Sequence, residues 1–144
     1  MKKLFPIYCI VMLIFTSCRY EEPALSLQSP ENRLAGNWFL QETQLNGKGV
    51  DTSVYNANVP QMNYYTFYHY GPLSVTSSIN GSEVKSKSGS WELVDKNRHL
   101  NIFLLHYNKS YNYKAEIIKL SNKELKYKYL DPYGDEWMLH LFKR

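Results

Sequence analysis

The feature that most constrains this chain is a period of two. Tyr111, Tyr113, Ala115 and Ile117 fall on one face of a strand, with Asn112, Lys114 and Glu116 on the other. Leu125, Tyr127 and Tyr129 likewise oppose Lys126 and Lys128, and Trp137, Leu139 and Leu141 oppose Met138, His140 and Phe142. Successive side chains of a β-strand point to opposite faces, so the pattern describes antiparallel sheet covered on one side. No segment carries a helical period long enough to supply the cover. The sheet must therefore bury its apolar face on itself.

Turn chemistry divides the chain at regular intervals. Strands are expected at 37–45, 61–70, 73–79, 83–94, 100–107, 111–120, 125–130 and 136–143. They are separated by Asn46-Gly47 with Gly49, Gly71-Pro72, Asn80-Gly81, Asp95-Lys96-Asn97, Asn108-Lys109-Ser110, Ser121-Asn122-Lys123 and Asp131-Pro132-Tyr133-Gly134. Asn-Gly is the strongest short hairpin signal, because both turn positions take positive φ. Residues 50–60 show no period and read as a long loop. Gly89, in the middle of a strand, reads as a bulge or sharp bend. Ahead of the strands, Ser29-Pro30-Glu31 supplies an N-cap, a proline at the first helical position and an acid in the first turn. A single helical turn over 30–35 should close against Gly36. The expected fold is all-β: a small antiparallel eight-stranded up-and-down barrel with a short N-terminal helical turn. A β-sandwich is the alternative.

Ahead of that domain, Lys2 and Lys3 precede an uncharged, mostly apolar run, Leu4 to Phe15, then Thr16, Ser17 and Cys18. Twelve residues are too few to cross a bilayer, which takes about 20. A basic start, a short apolar run and a small-residue finish describe a secretory signal. The segment Phe15-Thr16-Ser17-Cys18 resembles the lipobox of bacterial lipoproteins, and the acidic Glu21-Glu22 that follows is similar to the surface-export signal of Bacteroidetes lipoproteins. The resemblance implies a signal peptide over 1–17, palmitate-type acylation at Cys18, a polar tether over 18–33 and a domain over 34–144. It implies a cell-envelope location at the outer membrane, periplasmic or surface-exposed. With Cys9 removed, Cys18 is the one cysteine left, which excludes an internal disulfide. Loss of Lys2 and Lys3 leaves fifteen Lys and Arg against thirteen Asp and Glu. That balance argues against nucleic acid as a partner.

Gly36-Asn37-Trp38-Phe39-Leu40 and Gly89-Ser90-Trp91-Glu92-Leu93 repeat as G-x-W-x-L. A glycine before an inward tryptophan lets a strand bend while the indole plugs the barrel end. The helical turn followed by Gly36 and Trp38 resembles the G-x-W signature of lipocalins and lipocalin-like domains, and the eight-strand meander is similar too. In that family a basic residue after the last strand covers the tryptophan, a role the resemblance gives to Lys143 or Arg144. The chain lacks the family's disulfides, its T-D-x-x-Y turn and its C-terminal helix. In these respects it resembles the compact lipocalin-like lipoproteins of Bacteroidetes more than a typical lipocalin.

No catalytic set is expected, and the chain reads as a binder rather than an enzyme. There is no G-x-S-x-G, no P-loop and no serine-histidine-acid combination. His69, His99, His106 and His140 fall in different strands or turns without metal-ligand spacing, so no metal or other cofactor is expected. His106 and His140 are the one pair placed to approach across a barrel. Asp131, Asp135 and Glu136 are better explained by turn chemistry than by calcium. Thirteen tyrosines and three tryptophans leave two binding expectations. In the first, Tyr113, Tyr127, Tyr129 and Trp91 line a small cavity for an apolar or amphipathic ligand. In the second, the run 64–70 is aromatic on both faces, and Tyr65 and Phe67 form an exposed surface for a protein or glycan.

Overall fold

The computed structural model describes residues 27–50, 64–79, 82–106 and 109–144. The signal segment, Cys18, the acidic pair, most of the 50–60 loop and the Asn80-Gly81 and Asn108 turn positions lie outside the described residues.

The chain forms a helical turn, α1 (Pro30–Leu34), then β1 (Gly36–Leu45), β2 (Lys48–Val50), β3 (Tyr64–Phe67), β4 (Pro72–Ile79), β5 (Ser82–Val94), β6 (His99–His106), β7 (Lys109–Leu120), β8 (Glu124–Leu130) and β9 (Glu136–Lys143). Every neighbouring pair is antiparallel, in the order β2-β1-β3-β4-β5-β6-β7-β8-β9, and β1 also pairs with β9. The sheet closes on itself as an up-and-down barrel of eight strands, with β2 as an extra strand beside β1. The sandwich is thereby set aside. Closure removes the unpaired strand edges that an open sheet would present.

The alternation selects the core. Trp38, Leu40, Leu104, Ala115, Ile117, Leu125, Tyr127, Leu139 and Leu141 are buried, and the residues between them face solvent. Three register shifts bend the strands, between Leu40 and Glu42, between Val75 and Ser77, and between Ile117 and Lys119. The first changes the phase of β1. Trp38 and Leu40 point inward before it, and Thr43 is the buried residue after it. Gly89 is not a bulge, which corrects that part of the expectation: it pairs regularly with Leu73 and Leu104. What needs glycine there is close approach, since a Cβ at this position would lie 1.8 Å from the Phe103 carbonyl oxygen.

Two further departures follow from local chemistry. Asn46 and Gly47, both at positive φ, form the expected tight turn, but the chain then continues as β2 instead of entering a loop. The 61–70 strand is shorter than expected, and its described part ends at Phe67. Tyr70 and Gly71 both take positive φ, which breaks the ladder.

The end of the barrel where α1 docks is plugged. Ser29 Oγ caps the turn by accepting from the Asn32 amide. Leu34 is fully buried, and the Trp38 indole donates to the Leu34 carbonyl at 2.7 Å. Lys143 Nζ lies 5.3 Å from the Trp38 ring and donates to the Arg33 carbonyl at 2.8 Å, so Lys143, rather than Arg144, is the basic cover. Burial holds its pKa below the usual lysine value. Arg33, buried in turn, donates to the Leu120 carbonyl at 3.2 Å. The helical turn therefore packs onto the barrel end.

Candidate ligand-binding interior

The half of the barrel away from α1 is built differently from the plugged half. Tyr113 on β7 sits diagonally to Tyr129 on β8, and their rings stack with centroids 4.1 Å apart at 23°. Tyr127 and Tyr129, two residues apart on one face, have ring centroids 6.5 Å apart. Tyr127 and Tyr129 are buried, whereas Tyr111 and Tyr113 are only half-buried against the core. Aromatic pairs at these separations add about 0.5–1.5 kcal/mol beyond their burial. Of the four ligand-lining candidates, the fold thus gathers Tyr113, Tyr127 and Tyr129 into one wall.

Trp91 is the exception. Ile102 lies between Trp91 and Tyr113 in the strand register. The Trp91 indole donates to the Tyr68 carbonyl at 2.9 Å and meets Phe67 edge to face at 6.0 Å. It repeats at β5 what Trp38 does at β1: an indole N–H tied to a backbone carbonyl at the plugged end. Outside that end, Trp91 forms part of a shallow groove of about 490 Å³ with Glu31, Asn32, His69, Tyr70 and Leu93.

A residue not singled out from the sequence completes the interior. Lys87 is only 2% exposed, two positions from Gly89 and four from Trp91 on the same face of β5, opposite the buried Val75. Its Nζ lies 4.9 Å from the Tyr111 ring centroid and has no hydrogen-bond partner among the described residues. Burial pulls its pKa down to about 8. A cation over a tyrosine face recovers roughly 0.5–2 kcal/mol, less than burying an ammonium costs. The Thr43 hydroxyl is a second buried polar group without a partner among the described residues. The signal for Lys87 was available: counting back in twos from Trp91 places it inside.

Tyr65 and Phe67 require a correction. They are 0% and 1% exposed, with ring centroids 6.3 Å apart, and both face the core. Tyr65 pairs across the sheet with Trp38 and Val75, so this face of β3 completes the plugged half. The exposed rings of the run are Tyr68 and Tyr70, beyond the strand. His140 is also not an interior residue. It lies on the outer face between Leu139 and Leu141, its Nε2 2.6 Å from Glu124 and its Nδ1 3.6 Å from Glu42. The side chain of His106 lies outside the described residues.

The turn next to the tyrosine wall is rigidly fastened. Asp131 Oδ1 accepts from the Tyr133 and Asp135 amides at 2.8 and 3.0 Å, and Oδ2 accepts from the Trp137 indole at 3.1 Å. Burial raises the Asp131 pKa, but hydrogen bonds from the Trp137 indole and the amides of Asp135, Tyr133 and Gly134 outweigh it and hold the carboxyl below the usual value. Asn46 ties this turn to the β1–β2 turn through Asp135 and the Glu136 amide. Asp131→Ala should cost about 2 kcal/mol, because it removes the carboxylate that accepts from the Tyr133 and Asp135 amides and the Trp137 indole. Asp131→Asn should cost less. Urea denaturation of both variants checks this order.

Neither protein-family models nor curated proteins match the chain. Among solved structures, it is similar to a lipocalin-like protein from Bacteroides uniformis ATCC 8492, with a TM-score of 0.52, 18% identity, and coverage of 78% of this chain and 99% of that one. It is also similar to an odorant-binding protein, with a TM-score of 0.52, 10% identity, and coverage of 81% and 75%. At these identities the likeness concerns the fold. With the closed eight-strand meander, it shows that this chain has the fold of a lipocalin-like barrel.

Proposed function

We propose that the chain is a binding protein held at the cell envelope by a lipid on Cys18, and that its barrel takes a small apolar or amphipathic ligand in the half away from α1. The observation that carries the binding reading is the wall of Tyr113, Tyr127 and Tyr129. It places stacked tyrosine rings and a buried ammonium, Lys87, together on the inward faces of β5, β7 and β8. Half-buried Tyr111 and Tyr113 keep one side of that wall in reach of solvent. Binding at an apolar, concave wall with a few polar groups is the usual form of a small-molecule site. The anchoring reading rests on the basic start, the short apolar run and the cysteine directly after it. The surface-contact alternative loses its named residues, because Tyr65 and Phe67 are in the core.

The binding test is titration of the purified chain, carrying Cys18→Ser to prevent acylation, with the neutral fluorophore N-phenyl-1-naphthylamine. A saturable blue-shifted rise is expected, weakened about tenfold by Tyr113→Ala. A flat titration overturns the binding reading. For anchoring, cells expressing the natural chain should incorporate labelled palmitate and hold the protein in the membrane fraction. The Cys18→Ser chain should do neither. An unlabelled natural chain overturns that part.

A further inference from the structure

The buried ammonium of Lys87 has consequences for which ligand the barrel selects. A lysine with no hydrogen-bond partner among the described residues, 2% exposed, and backed by Val75 and the Tyr111 ring, is poorly compensated by the protein itself. A hydrophobic side chain of similar length would fill the same volume without that cost. The group that would compensate an ammonium best is an anion, since a charge-assisted hydrogen bond in a desolvated site is roughly twice as strong as a neutral one. Lys87 also sits beside the half-buried Tyr111, on the side of the interior that retains solvent access. The neighbouring tyrosine faces supply contact for an apolar tail.

We infer that the barrel is selective for amphiphiles with one carboxylate on an apolar tail, with Lys87 as the counter-ion of the head group and the Tyr113–Tyr129 wall along the tail. This inference rests on the interior-binding reading and sharpens it. It excludes cationic amphiphiles, because a second ammonium beside Lys87 would meet like charge in a low-dielectric site.

The test is calorimetric titration of the full Cys18→Ser chain with decanoate, decanol and decyltrimethylammonium. The same ligands are titrated into Lys87→Met and Lys87→Arg. Decanoate is expected to bind at least tenfold more tightly than decanol, with no binding of the cation. Lys87→Met should remove the decanoate preference over decanol, and Lys87→Arg should retain it. Lys87→Met is expected to melt at or above the parent's temperature, since it removes an uncompensated buried charge, so loss of fold does not confuse the result. Equal binding of decanoate and decanol, or a preference that survives Lys87→Met, overturns the carboxylate inference and leaves interior binding standing. Absence of binding by all three ligands overturns both.

Discussion

Replacing Gly89 by alanine is expected to cost the barrel a large share of its stability. An added Cβ would stand 1.8 Å from the Phe103 carbonyl oxygen, 2.8 Å from its carbonyl carbon and 2.9 Å from the Leu104 Cα. All three are backbone atoms of the adjacent strand, so no side-chain rotation relieves the clash. β5 and β6 would have to separate along a ladder that runs from Ser88 opposite Leu105 to Val94 opposite His99. Overpacking of a core typically costs about 1–3 kcal/mol, and a backbone clash in a closed barrel belongs at or above the top of that range. Against a total stability of roughly 5–15 kcal/mol, a loss of that size should lower the denaturation midpoint clearly. Gly49→Ala is the matched control. A Cβ there meets nothing within 4 Å, so the change should be near neutral. Chemical denaturation followed by circular dichroism measures both. A Gly89→Ala midpoint indistinguishable from the parent's would disprove the close approach.

Trp38→Ala should be nearly as damaging, through a different route. The ring is 1% exposed, and its removal opens a large cavity, a change that typically costs about 3–5 kcal/mol. The Leu34 carbonyl loses its indole donor and Lys143 loses the ring beneath it. Because these contacts fasten α1, the amides of Arg33 and Ala35, which donate to the Ser29 and Glu31 carbonyls, should lose hydrogen-exchange protection before the strands do. Trp38→Phe keeps most of the volume and should cost about half as much. If α1 kept its protection in Trp38→Ala, the tryptophan would not be what holds the helical turn in place.

The strands were legible because each physical cue acts locally. Alternation at Tyr111 to Ile117 and at Trp137 to Leu141 sets which face is inward, and positive-φ residues such as Asn46 and Gly47 set where strands stop. What was not legible depends on partners distant in sequence. The run from Tyr64 to Tyr70 carries rings on both faces, so composition alone does not choose the buried set; pairing with β1 and β4 does, and it buries Tyr65 and Phe67. The same holds for Gly89, whose reason is the Phe103 backbone across the ladder. Within the candidate site, the tyrosine wall follows from phase, whereas the place of Trp91 does not, because an inward direction says nothing about height along the barrel axis. Lys87 is masked by its type, since a lysine ordinarily marks a solvated face.

The plugged end gives the barrel a polarity. The N-terminal segment enters the domain at α1, beside Trp38 and Lys143, so a chain anchored at Cys18, as proposed, would be moored by its stoppered pole. The tyrosine-lined half with Lys87 would then be the pole farther from the mooring point. Attachment and capture would be divided between opposite ends of one small body. A tether can be lengthened or shortened in such an arrangement without disturbing the interior.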